Sequence, residues 1–268
     1  MEIPKYSTIN LLVEDRVARL TLNRPDQLNA LDPQMLAELL DALGRLRAEG
    51  SLNILILTGS GRLFSAGVDL TTPFFMEDVK DTSIYSGTRL LNEQHRVIEA
   101  IYNLPFISVA ALNGHAVGGG GFGLAMACDL RVAVKSARFW MVPMSLDVVQ
   151  DFGLTWLLQR QIGPSRTLQM AILGSQISAE QGLEWGMINE VVEDGVELTN
   201  RVQILSSELA HLGSDALRML KLLVRTGARN QLVDQLDLEA VANGLAFQSE
   251  EFKSKKAAYF LKLASNRK

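Results

Sequence analysis

Apolar positions in the first half of the chain recur in two rhythms. Residues 8–13 and 17–22 carry the short apolar stretches of a strand pair that turns at Glu14-Asp15. Leu36, Leu39, Leu40, Leu43 and Leu46 then fall at helical spacing behind Asp32-Pro33, an N-cap followed by proline at the first helical position. Gly50 closes that helix. Residues 53–57 form an unbroken apolar run, as a strand covered on both faces requires, and it stops at Thr58-Gly-Ser-Gly61. The pattern then predicts a long helix over 83–102 and a second buried strand over 106–112 ended by Asn113-Gly114. A glycine run, a short helix over 122–127 and a strand over 130–134 follow.

Beyond this point the rhythm changes. Helical spacing governs 153–161, 164–173, 179–185 and everything after Glu197, and Ser178-Ala-Glu-Gln181 has the form of a capping box. Only residues 189–192 read as a strand. This order is that of an α/β core over residues 1–196 followed by a helical region over 197–268. Leu236, Leu238, Leu245, Phe247, Phe252, Tyr259, Phe260 and Leu261 offer more apolar surface than a short helix pair can bury, so packing against another subunit is expected.

Composition narrows the classes. A chain of 268 residues with 47% hydrophobic and 21% charged residues is globular, and it contains no uncharged run long enough to cross a bilayer. Against 30 Asp and Glu there are 26 Lys and Arg, a formal charge of -4, so the basic excess of a nucleic-acid binder is missing. The basic run from Lys253 to Lys256 reads as a solvated helix face. Cys128, the single cysteine, cannot form an internal disulfide and reads as a small core residue. The first residues match neither a signal nor a transit peptide, so a cytoplasmic location is expected. His95, His115 and His211 lack metal-ligand spacing and read as surface or packing residues; no metal site is expected.

Two glycine-rich segments, each behind a buried strand, carry the candidate chemistry. One runs from Leu57 through Phe64-Ser-Ala-Gly-Val-Asp-Leu70; the other is Ala111-Leu-Asn-Gly-His-Ala-Val-Gly-Gly-Gly-Gly-Phe-Gly-Leu-Ala-Met-Ala-Cys-Asp129. Small residues at a strand-to-helix turn let backbone N–H groups approach a ligand, and two such groups converging on one oxygen make an oxyanion hole. The Gly-x-Gly-x-x-Gly within 118–123 is not a dinucleotide fingerprint, because no acidic ribose partner stands near residues 138–141.

These residues resemble the crotonase (enoyl-CoA hydratase/isomerase) superfamily. The motifs are Asn23-Arg-Pro-Asp-Gln-Leu-Asn-Ala-Leu31, Phe64-Ser-Ala-Gly-Val-Asp-Leu70, Asn113-Gly-His-Ala-Val-Gly-Gly-Gly, Leu124-Ala-Met-Ala-Cys-Asp129 and the segment from Ile177 to Val191, and together they run nearly end to end. The resemblance implies a ββα spiral core, a helical C-terminal trimerisation region, and a trimer or hexamer. It implies a coenzyme A thioester as substrate with no separate cofactor. By motif position, the Ala66 amide is one oxyanion donor. Gly119 or Gly120 supplies the other, since this chain has one glycine more than usual between Val117 and Leu124. Arg24, Ser65, Ala66, Gly67, Asp69 and Leu70 fall at the family's CoA-binding positions, as does Phe260 from a neighbour's last helix; the usual tail lysine falls at Leu263, next to Lys262.

Hydratases of the family use two glutamates. Aligned back from Leu124, the first position is Gly123 and the second is Pro143 or Met144, none able to transfer a proton. Asp151 instead matches the aspartate that the family's double-bond and epoxyphenylacetyl-CoA isomerases use as a proton shuttle, and its apolar neighbours Phe152, Leu154 and Trp156 suit that task. Asp151 also stands where it would serve as a helix N-cap. Asp147 is a weaker candidate, read as a solvated loop carboxylate, and Asp69 is read as complementing a helix dipole. The expected activity is therefore isomerisation through a thioester enolate. The alternatives are an acyl-CoA-binding homologue without catalysis, and hydrolysis or carbon–carbon cleavage of the same thioester class.

Overall fold

The computed structural model describes residues 3–72 and 83–265. Ile9–Glu14 (β1) and Val17–Leu22 (β2) form the expected antiparallel pair, in which Ala18, Leu20 and Leu22 point inward and are fully buried. Parallel strands Ile54–Gly59 (β3), Ile107–Leu112 (β4), Leu130–Val134 (β6) and Glu190–Val192 (β9) extend this into a six-stranded sheet of order β1-β2-β3-β4-β6-β9. The central strands are covered on both faces, which is why their sequences are unbroken apolar runs.

A second, three-stranded sheet was not expected. Ala116–Val117 (β5) pairs in parallel with Arg138–Trp140 (β7), which pairs antiparallel with Ile177–Ser178 (β8). The expectation of a single strand after residue 153 is thereby corrected, since β8 joins β9 there. Strands of two or three residues are too short to show a period.

Helix Pro33–Ala48 (α1) starts as read: the Asp32 carboxylate accepts the Met35 N–H at 2.7 Å, and Met35, Leu36, Leu39, Ala42, Leu43 and Leu46 are buried. Ser83 caps Ile84–Tyr102 (α2), whose buried residues Val97, Ile98 and Ile101 lie in its last turns. Gly123–Ala127 (α3) is fully buried. The two helices expected over 153–173 are one element, Leu154–Leu173 (α4), broken at Gly163 (φ 80°) just before Pro164. The Ser178 hydroxyl accepts the Gln181 N–H at the start of Ala179–Glu184 (α5).

The helical region begins with Gly195–Ala210 (α6), which lies on the main sheet through Leu198 and Val202, while Asn53 Nδ2 donates to the Leu209 and Leu212 carbonyls. Ser214–Gly227 (α7) is fastened to the core by Lys221 and Arg225, both 2.6 Å from the Asp129 carboxylate. Leu232–Ala246 (α8) and Glu250–Ser265 (α9) complete the described chain, and α8 contains no buried residue. Among the described residues no helix is long and apolar enough to cross a membrane.

Candidate functional site

The two glycine-rich segments meet. Ser65 bridges Ala116, the Val117 N–H donates to the Ser65 carbonyl at 3.0 Å, and Gly67, at φ 97°, lies so close to the Val117 carbonyl that a Cβ there would stand 2.8 Å from its oxygen. Leu31 runs beside Val68, giving its N–H to Gly67 and accepting that of Asp69. The first turn is therefore held from both sides.

Walking along this turn shows which amide is free. Ser65 N–H goes to the His115 carbonyl, Ala66 N–H to the Leu28 carbonyl at 3.0 Å, Gly67 N–H to Ser65 Oγ at 3.2 Å, and Asp69 N–H to the Leu31 carbonyl. Val68 alone of the five has no acceptor among the described residues. This corrects the expectation for Ala66: its amide is spent inside the fold, and the available donor lies two residues later.

On the facing segment, the additional glycine is absorbed as a wide, five-residue π-helical turn over Gly118–Phe122 that runs directly into α3. Amides at the start of such a helical segment have no acceptor behind them. The structure distinguishes Gly119 from Gly120. A Cβ on Gly120 would stand 3.2 Å from the Val68 nitrogen, whereas a Cβ on Gly119 would overlap Asp151 Oδ1. Gly120 thus adjoins the free amide, and Gly119 adjoins the carboxylate.

Asp151 does not cap α4. The cap position is Gly153, without a side-chain bond, and Asp151 contributes its backbone carbonyl, which accepts the Leu154 N–H at 3.2 Å. Its carboxylate is one-quarter exposed, with Gln150 Nε2 at 3.4 Å from Oδ1 and His95 Nε2 at 3.9 Å from Oδ2. His95 was read only as a surface or packing residue; it does pack, edge-on against Phe152, but it also meets Asp151. Phe152 is fully buried at φ 50° and fills the volume beside Gly123, where a Cβ would stand 2.9 Å from Phe152 Cβ and carbonyl oxygen. A side chain at residue 123 has no room.

The other expected binding residues divide by environment. Arg24 is turned inward, its guanidinium 3.0 Å from Asp69 and 3.2 Å from Asp32 and bonded to the Ala30 carbonyl, so it braces the loop where a ligand contact was expected. Ser65 is fully buried and donates its hydroxyl to the Asn29 carbonyl. Asp69 accepts from the Thr71 hydroxyl and N–H; those bonds, opposed by burial and helped by Arg24, hold its carboxyl below the usual range. Asp69 anchors the turn through Thr71, and the residues that would carry the expected helix, 73–82, lie outside the described residues. Leu70 is half exposed.

Asp147 is exposed, as a loop carboxylate should be. Phe260 is exposed on α9, its ring against Tyr259, and the side chains of Lys262 and Leu263 lie outside the described residues. Cys128 is buried, and burial, reinforced by Asp129, pushes its thiol up to about 12.

The family model for enoyl-CoA hydratase/isomerase matches residues 13–266. The chain belongs to this family. Among curated relatives, the 1,2-epoxyphenylacetyl-CoA isomerase of Escherichia coli is 36% identical over 93% of this chain and 94% of its own length. The crotonyl-CoA hydratase of Syntrophomonas wolfei is 32% identical over 97% and 98%. A solved enoyl-CoA hydratase subunit of Geobacillus kaustophilus superposes with a TM-score of 0.86 at 33% identity, covering 97% of both chains. The fold is thus that of the crotonase superfamily, as the motifs implied, and members bearing both hydratase and isomerase names resemble it.

Proposed function

We propose that this family member isomerises an acyl-CoA thioester. Asp151 takes a proton from the carbon next to the thioester carbonyl, the released electron pair moves onto the carbonyl oxygen, and the Val68 and Gly120 amides hold the resulting enolate. Asp151 then returns the proton to a different carbon, shifting the double bond; an epoxide would open by the same first step. Donors fixed before the reaction stabilise the charge without reorganising, each contributing about 3 kcal/mol. The observation that carries the reading is a carboxylate free of helix capping and pressed against Gly119, one residue from the amide pair. Hydration by two glutamates is disfavoured because Gly123 carries no acid and Phe152 occupies the space for one.

The test is incubation with trans-3-hexenoyl-CoA in deuterated water. Formation of the 2-enoyl isomer with solvent exchange is expected, falling by about 10²–10⁴-fold in Asp151→Asn, the usual contribution of a positioned acid or base. Unchanged isomerisation in that variant removes Asp151 from the mechanism. Release of free CoA thiol would point to thioester cleavage, and tight binding without turnover to a non-catalytic homologue.

Assembly belongs to the same proposal. Leu232, Val233, Leu236, Val241, Leu245 and Phe247 are each more than half exposed, a continuous demand for cover that the chain's own core does not meet. We infer a homotrimer or a pair of trimers in which α8 is buried and Phe260 reaches a neighbour's ligand site.

A further inference from the structure

Phe152 is the least comfortable residue near Asp151. A bulky side chain at φ 50° costs about 1–2 kcal/mol and persists only where its surroundings over-determine it. Its ring is fully buried over Gly123, which fixes the side chain, and the carbonyl side of the peptide linking Asp151 to Phe152 accepts the Leu154 N–H and Gln150 Nε2, each at 3.2 Å. Its N–H side is held by His95. The Phe152 N–H donates to His95 Nε2 at 3.4 Å, while the imidazole packs edge-on against the Phe152 ring with centroids 5.2 Å apart. An acceptor role at Nε2 places the imidazole proton on Nδ1.

The geometry points to His95 as the residue that positions Asp151 for proton transfer, by pinning the Asp151–Phe152 peptide through Nε2. This rests on the isomerase reading. The carboxylate has two differently employed oxygens: Oδ1 faces Gly119 and Gln150 Nε2, and Oδ2 faces His95 Nε2 at 3.9 Å. With both Oδ2 and Nε2 acting as acceptors, no bond joins them in the resting site. Without His95 the peptide can relax toward an ordinary φ, swinging Oδ1 away from Gly119; a displacement near 1 Å is enough to cost about 100-fold in rate.

Three full-length variants, assayed with trans-3-hexenoyl-CoA, test this. His95→Leu is expected to lose kcat by about 10- to 100-fold with KM within twofold, and His95→Asn, which keeps an acceptor, to recover to within about threefold of the parent. Hydrogen exchange at the Phe152 amide is expected to accelerate in His95→Leu and not in His95→Asn. Unchanged kcat in His95→Leu, a loss carried by KM, or no recovery in His95→Asn overturns the proposal. Where His95→Leu does not fold, a loss beyond tenfold in a folded His95→Asn overturns it as well, and near-parental kcat with a protected Phe152 amide supports it. Asp151→Asn in the same assay separates the two levels. If it turns over like the parent, the isomerase reading fails; if it is inactive while His95→Leu is unimpaired, only the role of His95 fails.

Discussion

The paired glycine turns and the last two helices solve the burial problem in opposite ways. Around Ser65 and Gly120 nearly every backbone group has its partner within the chain, and side chains are reduced to hydrogen so that segments can touch. In α8 the apolar side chains are present in quantity and none is buried. The first region is finished by its own sequence and leaves one amide of the turn at Val68 unspent; the second is unfinished and leaves a surface. Unspent polarity held in a rigid frame suits a transition state, whereas unspent apolar area suits another copy of the chain.

The sharpest way to break this contrast is to add one methyl group to the finished region. Gly120→Ala would place a Cβ 2.8 Å from Leu31 Cδ1 and 3.2 Å from Val68 N. The expected result is a kcat loss of about 10²–10³-fold from the disturbed donor pair. Stability should fall by about 1–3 kcal/mol from overpacking, read by urea denaturation. A variant with parental kcat would show that Gly120 lies outside the reacting site.

Removing the residues after Ser249 attacks the unfinished region instead. Light scattering should show dissociation, and acyl-CoA affinity should weaken about tenfold, equal to about 1.4 kcal/mol, while the far-ultraviolet spectrum retains the strands. A full-length chain that is monomeric at micromolar concentration would contradict the assembly. A truncated chain that remains trimeric yet binds CoA esters poorly would assign the tail to the ligand.

The smallest effect expected is acid-dependent and lies away from both regions, where the chain before β1 meets α1. Burial would raise the Glu38 carboxyl, but hydrogen bonds from Thr8 and Ser7 outweigh it and hold it at about 2. Its stabilising contribution is complete above the unfolded value of about 4.3 and is lost as pH falls through about 2. Glu38→Gln should therefore be less stable than the parent at pH 6, by on the order of 1 kcal/mol, and nearly equal to it at pH 2. The difference should be the same in the truncated chain, since Glu38 ties the chain before β1 to α1.

Most of the fold was legible because periodicity reports burial directly. Val17–Leu22 alternates and is half covered, while Ile54–Gly59 does not alternate and is covered on both faces. Asp151 was singled out by motif position and by the loss of acids at Gly123 and residues 143–144, and its carboxylate lies against Gly119. What escaped were relations between distant segments. Whether an amide is free depends on which carbonyl the fold brings to it, and Leu28 reaching Ala66 leaves no trace in local sequence. His95 lies 57 residues before Phe152, on a helix whose polar face gave no sign of a partner. Arg24 looked available for CoA because the two carboxylates that hold it, Asp32 and Asp69, come from separate loops.

The Asp129 cluster sets an order of events during synthesis. Its carboxylate accepts from Ser108, but its two cations, Lys221 and Arg225, emerge 92 and 96 residues later. Lys221 also donates to the Phe106 carbonyl, 115 residues upstream. A nascent chain that has already built the parallel sheet therefore carries an unneutralised carboxylate at the base of β4 and β6 until α7 leaves the ribosome. Only at that moment can the sheet close electrostatically. A chain arrested before residue 221 would hold this carboxylate with Ser108 alone and without either cation.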